Sequence, residues 1–362
     1  MKTQIERVFS NLDDNVDAFL ISNGAHPNLD LNFFYVSGIT SGVFEGCTIV
    51  AKRDGKSYLM TSELEEPIAR KETNLEILTF KTREERREQL KRILSGVKKL
   101  GINANTLSYK QYSNISELTK AKIEDISDAF SAARSIKNKK EIRLISKACK
   151  ISAKVADKFP SYIRNNITEK QLSKVLIDLQ FDYGATNLAF SPPIVAFGKN
   201  SSRPHHTPTD MKLKRNQFVL IDFGAEYNRY TSDISRTFVF GKPDKKMKDI
   251  YETVLNAQTG AIDMVKDGAN GKDIDNFARK MIDKKYKGSF IHSLGHEVGL
   301  AIHDGKTLTP NADFILKENM VVTIEPGIYI PSIGGVRIED TVIVTKGKPK
   351  ILTAAKKNLV NL

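Results

Sequence analysis

Four carboxylates set inside apolar runs constrain this chain more than any other feature. Asp222 sits in Val219-Leu220-Ile221-Asp222-Phe223, Asp233 in Thr231-Ser232-Asp233-Ile234, Glu325 in Val321-Val322-Thr323-Ile324-Glu325, and Glu339 in Val336-Arg337-Ile338-Glu339. A buried unpaired carboxylate is almost never tolerated, so a fold that buries these strands must also neutralise their acids.

The spacing draws the four together. Asp222 and Asp233 are equidistant from the Tyr227-Asn228 step, so a hairpin centred there sets them directly opposite, with Cβ atoms about 5 Å apart. Glu325 and Glu339 are equidistant from Ser332, beside Gly334-Gly335, and a second hairpin repeats the arrangement. The blander alternative has Asp222 and Asp233 capping turns or pairing with Arg229 or Arg236, and the second acid pair weighs against it. Ionised carboxylates this close repel, so one takes a proton or a cation lies between them. About four negative charges match two divalent cations and leave a bridging water easily ionised to hydroxide.

Histidines gather in the same half of the chain. His205, His206, His292, His296 and His303 all lie there, and His26 alone belongs to the other half. His296 stands between Gly295 and Gly299, where backbone must approach something closely, and it adds one imidazole to the four acids. Such an oxygen-rich set without cysteine suits manganese, cobalt, iron or zinc. The dipeptide His296-Glu297 invites a His-Glu-x-x-His reading, but Leu300 stands where the second histidine belongs. The glycines favour a strand or loop here over a helix.

The 362 residues suggest two domains at about 150 residues each. Strands are expected at Val16–Ser22, Cys47–Ala51, Ser57–Met60 and Leu75–Phe80, the middle two as hairpin arms around Arg53-Asp54-Gly55. A helix is expected over Glu84–Lys99, and another stretch begins at Ile115, giving an α/β unit. A basic linker, Arg134–Lys140, then leads into a helix from Glu141 whose stripe is Ile142, Ile145, Cys149 and Ala153. This sets the domains at 1–133 and 134–362. Beyond it, a helix from Met247 to Val265 capped by Asp244 must cover an antiparallel sheet of Phe218–Phe223, Ser235–Phe240, Val321–Ile324 and Val336–Val344.

Composition excludes other classes. Hydrophobic residues at 40% and charged residues at 27% rule out wholesale disorder and a small disulfide scaffold. Cys47 and Cys149 match no metal or redox spacing and read as small core residues. The net charge of +13 would attract nucleic acid if concentrated, but the densest segment, Lys81–Arg92, mixes signs in pairs such as Glu88 with Arg92, so no nucleic-acid partner is expected. No run approaches the roughly 20 apolar residues of a membrane span, and Glu6, Asp13 and Asp14 occupy a start that a signal peptide would keep apolar. A cytoplasmic protein without membrane partners is expected.

Together, Ile221-Asp-Phe-Gly224, Thr231-Ser-Asp-Ile-Ser-Arg-Thr237, Leu294-Gly-His296, Thr323-Ile-Glu-Pro-Gly-Ile-Tyr329 and Gly335-Val-Arg-Ile-Glu-Asp-Thr341 resemble the motifs of the metallopeptidase family that includes proline dipeptidase (prolidase), Xaa-Pro aminopeptidase and methionine aminopeptidase. The resemblance implies an α+β chain: a pita-bread catalytic domain preceded by a smaller creatinase-type α/β domain, which methionine aminopeptidases usually lack. Creatinase itself lacks the metal ligands, so the intact set here argues against creatine hydrolysis and against a binding protein that has lost catalysis.

Carried over residue by residue, the resemblance implies that Asp222 chelates a first metal, Asp233 and Glu339 bridge both, and His296 with Glu325 complete the second. It implies hydrolysis of the bond preceding proline by a metal-bridging hydroxide, with an Xaa-Pro dipeptide as substrate or, alternatively, a longer peptide taken by an Xaa-Pro aminopeptidase. His303 would donate to the developing oxyanion, His205 would contact the scissile amide or its neighbouring carbonyl, and Glu325 would shuttle the proton. His292 would lie near the proline ring, Arg337 would orient the ligand carboxylates, and His206 would face solvent. The basic residue that proline dipeptidases often carry for the free carboxylate of a dipeptide is not in its usual register here, which leaves its cation open, with Lys306 a nearby substitute. A homodimer is expected on the same ground.

Overall fold

A computed structural model describes residues 2–25, 27–311 and 314–362; His26 lies outside the described residues. The chain forms two compact units, Met1–Arg134 and Ser135–Leu362.

The first unit is a mixed six-stranded sheet with helices. Its strands run, in spatial order, Glu76–Phe80, Ser57–Ser62, Thr48–Lys52, Ala18–Ser22, Lys99–Ile102 and Lys122–Asp125. The central pairings are antiparallel and the outer ones parallel. The anticipated hairpin forms, closed by a turn in which Gly55 takes φ +95°. Two expectations need correcting. The helix over 84–99 is Arg83–Leu94; it stops before Gly96, at φ +79°, and Lys99 already begins a strand. The helical stretch expected from Ile115 is instead the end of Tyr109–Ser116, started by a capping box between Ser108 and Gln111. Leu90, Ile93 and Leu94 pack on Ala18, Leu20, Val50 and Met60. On the exposed helix face Glu88 pairs with Lys91 at 2.7 Å, not with Arg92.

The second unit opens with the helix Lys139–Lys158, two residues earlier than expected because Asn138 and Glu141 form its capping box. Ile145 and Cys149 on its stripe are fully buried, and Cys47 is equally buried in the first unit. The long helix Lys245–Met264 is capped by Asp244, which accepts from the Met247 amide at 2.7 Å. Its apolar face joins Phe218, Val239, Val322, Ile328 and Val336 in one core. No described helix is long and apolar enough to cross a membrane.

Antiparallel strands carry the acids. Gln217–Phe223 lies between Ile194–Phe197 and Ile234–Phe240. The first hairpin turns one residue later than expected, at Asn228-Arg229, with φ 49° and 69°. Both central residues are left-handed, as a type I′ turn demands. That single step moves the register by two, so Asp222 faces Ser235 rather than Asp233. Asp233 becomes a diagonal neighbour on the same face. The second hairpin keeps the expected register: Ile324 pairs with Asp340 and Gly327 with Arg337, which sets Glu325 opposite Glu339 between the two ladders. Pairing lapses at those acids, so Val336–Val344 is not one strand but two, Gly334–Arg337 and Asp340–Ile343.

Candidate metal centre

Each acid reaches the centre for a local reason. The Glu325 amide donates to Leu294 O at 2.7 Å and the Glu339 amide to Ser235 O at 3.1 Å, so the pairing that lapses within the hairpin is taken up by neighbouring strands. His296 arrives on the short strand Gly295–His296 and donates its amide to Thr323 Oγ1 at 3.0 Å. This approach is open only to glycine at 295, where an added Cβ would lie 1.9 Å from Thr323 O.

The structure brings the five predicted ligand residues to one place. Asp233, His296 and Glu339 each offer an atom within 4.8 Å of the others, all three buried. His296 Nε2 lies 3.4 Å from Asp233 Oδ2 and 3.3 Å from Glu325 Oε1, while Nδ1 faces Glu297 O at 3.2 Å. Nδ1, facing a carbonyl, carries a hydrogen, and Nε2 is the nitrogen turned to the acids. Asp222, Asp233, His296 and Glu325 line a cavity of about 440 Å³, joined by His205, His292, His303 and Arg337. Glu339 is 1% exposed and stands behind them.

Electrostatics show an uncompensated cluster. Burial pushes Asp222 and Glu339 up, and Asp233 up to about 7. Burial would also raise Glu325, but its hydrogen bond to His296 together with the charges of His296, His292 and Arg337 outweighs that and holds it at about 2. Burial works against a charged His296 too, yet the bonds to Asp233 and Glu325 keep its imidazole well above the ordinary range. Asp222 Oδ1, Asp233 Oδ1 and Glu339 Oε1 are buried with no hydrogen-bond partner among the described residues. Buried carboxyl oxygens without donors are costly, and three of them converging beside an imidazole are the donor set of a divalent cation site. The residues present fit such ions.

Behind the acids lies a hydrogen-bonded frame. Arg337 donates to Asp222 Oδ2 at 2.5 Å, to Tyr329 Oη at 2.8 Å and, through Nε, to Ser235 Oγ at 2.8 Å. The Ser235 hydroxyl passes on to Glu339 Oε2 at 2.8 Å. One guanidinium thus orients two acids; burial works against its charge, but Tyr329, Asp222 and Glu325 outweigh that and hold its pKa well above the ordinary value. His292 donates from Nδ1 to Ser293 O at 2.8 Å and accepts the Tyr329 hydroxyl at Nε2, 2.7 Å away; burial pushes its pKa down. His303 stands edge-on to His296 with ring centres 4.2 Å apart, and burial followed by the His296 charge lowers its pKa. The Glu297 carboxylate is fully buried, accepts from Ser135 Oγ at 2.8 Å and lies 3.9 Å from the buried Lys137 ammonium.

Two expectations fail. His206 does not face solvent: it is 6% exposed and its Nε2 donates to Glu169 Oε2 at 2.8 Å, a partner too distant in sequence for spacing to suggest. Lys306 does not line the cavity, since its ammonium stands 5.3 Å over the Phe314 ring. Sequence reasoning missed Ser235, Tyr329 and Glu169. The correct hairpin centre would have exposed Ser235 as the residue opposite Asp222.

Comparison with known proteins agrees with this architecture. Residues 10–136 match the creatinase/prolidase N-terminal domain and residues 143–346 match metallopeptidase family M24. The chain is 39% identical to an Xaa-Pro dipeptidase of Pyrococcus furiosus, covering 99% of this chain and 100% of that protein. The crystal structure of the prolidase from Pyrococcus horikoshii superposes with a TM-score of 0.88 at 36% identity, covering 99% of each chain. The X-Pro aminopeptidase from Thermotoga maritima superposes with a TM-score of 0.91 at 31% identity, over 98% of this chain and 100% of that one. With a creatinase-type domain ahead of a pita-bread domain that gathers four acids and a histidine, this chain belongs to metallopeptidase family M24.

Proposed function

We propose that this protein hydrolyses the peptide bond preceding proline in Xaa-Pro dipeptides, with two divalent cations per subunit held by Asp222, Asp233, His296, Glu325 and Glu339. Asp222 would serve the first cation, Asp233 and Glu339 both, and His296 with Glu325 the second. The observation that carries the reading is the set of partnerless buried oxygens on Asp222 and Asp233, which line the cavity, and on Glu339 behind them. Manganese, cobalt, zinc and iron are all compatible with these donors. When bound, such ions supply Lewis acidity and make a water molecule easier to ionise.

The chain's own residues do the rest. Glu325, close to His296 Nε2 and open to the cavity, accepts the proton of the attacking water and passes it to the leaving nitrogen. His303 and His205 reach into the cavity as donors to the scissile carbonyl and its neighbour. Phe190, Pro192, Ile194 and Ile302 give the cavity an apolar wall suited to a proline ring, with His292 beside it. Arg337 fixes the ligand acids rather than the substrate, because Asp222 already occupies it.

That occupation favours a second reading. Among the described residues, Arg337 is the one Lys or Arg on the cavity wall, so no free lysine or arginine meets the carboxylate of a two-residue substrate. An Xaa-Pro aminopeptidase leaves that end open for a longer chain. Ala-Pro and Ala-Pro-Ala offered to manganese-loaded protein decide between them. Cleavage of the dipeptide is expected, cleavage of the tripeptide alone selects the second reading, and cleavage of neither by protein with two bound metal equivalents overturns both.

A further inference from the structure

One buried carboxylate fastens the segment that carries His205. Glu169, in the first turn of Glu169–Asp182, is fully buried. Its Oε1 accepts from the Phe197 amide and from Asn200 Nδ2, both at 2.9 Å. Its Oε2 accepts from His206 Nε2 at 2.8 Å, the Thr209 amide at 2.9 Å and Thr209 Oγ1 at 2.6 Å. The donors stand at both ends and in the middle of residues 197–209, so a single side chain closes that loop on the helix beneath it. Burial pushes Glu169 up, but the bonds from Thr209, His206 and Asn200 outweigh it and hold the group ionised.

The loop is tied to the metal centre on its other side. Ser201 Oγ accepts the Gly335 amide at 2.7 Å, and Pro204 O lies 3.5 Å from Arg337 Nη1 and Nη2. Directly after Pro204 stands His205, whose imidazole is exposed on the cavity and makes no side-chain hydrogen bond among the described residues. No side-chain hydrogen bond therefore holds that ring, and its reach depends on the backbone that carries it. On its other side the next residue, His206, is buried against Glu169.

We propose that Glu169 and His206 are positioning residues for His205: their buried hydrogen bond sets the backbone from which the His205 imidazole reaches the substrate. This rests on the assignment of His205 to the substrate made above. A displacement of about 1 Å at a reacting group is enough to cost about 10²-fold in rate, so a loop held by one carboxylate matters to catalysis without touching substrate.

The test is a double-mutant cycle in the full-length, metal-loaded protein. His206→Ala is expected to lower kcat/KM about 10-fold with His205 present and less than about 2-fold in a His205→Ala background, because residues acting through one another are not additive. His206→Gln, which can still donate to Glu169, should restore most of the loss. Amide hydrogen exchange over 203–207 should rise in His206→Ala and return in His206→Gln. An equal loss of activity in both backgrounds overturns the proposal, as does unchanged exchange in His206→Ala, whatever the activity. A wild-type protein that cleaves no Xaa-Pro substrate sinks the assignment of function instead, and the exchange experiment then still judges the loop clamp by itself.

Discussion

Ser235→Ala removes one oxygen that joins two acids of the centre. In the wild type this hydroxyl accepts from Arg337 Nε and donates to Glu339 Oε2, both at 2.8 Å, and the residue is fully buried. Truncation leaves a guanidinium nitrogen and a carboxyl oxygen unpaired where water does not reach. The loss at Arg337 weighs equally with and without a cation. The loss at Glu339 does not: without a cation, burial pushes its pKa up and favours the neutral acid, for which a hydrogen bond contributes about 1 kcal/mol, whereas a ligating carboxylate loses about 1.5–3 kcal/mol. The difference, about 0.5–2 kcal/mol, predicts that metal binds about 2- to 30-fold more weakly, in line with the usual cost of removing a partner behind a ligand. Titration of metal-free protein with manganese against a chelating indicator measures it. A binding constant unchanged in Ser235→Ala would refute the claim that Arg337 acts on Glu339 through this serine.

Two further perturbations probe the frame. Lys137→Met removes the buried ammonium that lies 3.9 Å from the carboxylates of Glu297 and Asp304; breaking such a set costs about 3–5 kcal/mol, a fall in melting temperature of about 6–20 °C for a unit of this size, and a melting point within 2 °C of wild type would contradict it. Gly295→Ala puts a Cβ 1.9 Å from Thr323 O, so the strand bearing His296 must back away from Val321–Ile324; turnover should drop about 10²-fold with weaker metal binding, and wild-type turnover would show that the close approach is dispensable.

The acids were legible in the sequence because burying a carboxylate in a strand demands an explanation wherever the strand lies. The register of the second hairpin was legible too, since Gly334-Gly335 marks its turn and the apolar alternation continues on both sides. The first hairpin was not, because Asn228-Arg229 offers no glycine to announce a turn that needs two left-handed residues; asparagine tolerates that region, and arginine is simply placed there. His206 was misread for a different reason. Its partner Glu169 lies on another helix, and contacts between distant segments leave no trace in spacing. The break at Ile338-Glu339 escaped notice because an apolar run looks the same whether or not its backbone is paired.

Ser235 and Arg236 are successive residues of one strand, so they leave it on opposite sides, yet both end on Glu339. Ser235 holds its carboxyl oxygen and Arg236 donates to its carbonyl, while the same guanidinium also bonds Asp340 Oδ1 at 2.8 Å and the carbonyls of Lys356 and Ala355 at 3.1 Å. A protein engineer transplanting four acids and a histidine onto a foreign sheet would therefore obtain the ligands without their footing. To carry the chemistry elsewhere, the graft must include the reverse face of the sheet and the final turns of chain that Arg236 grips.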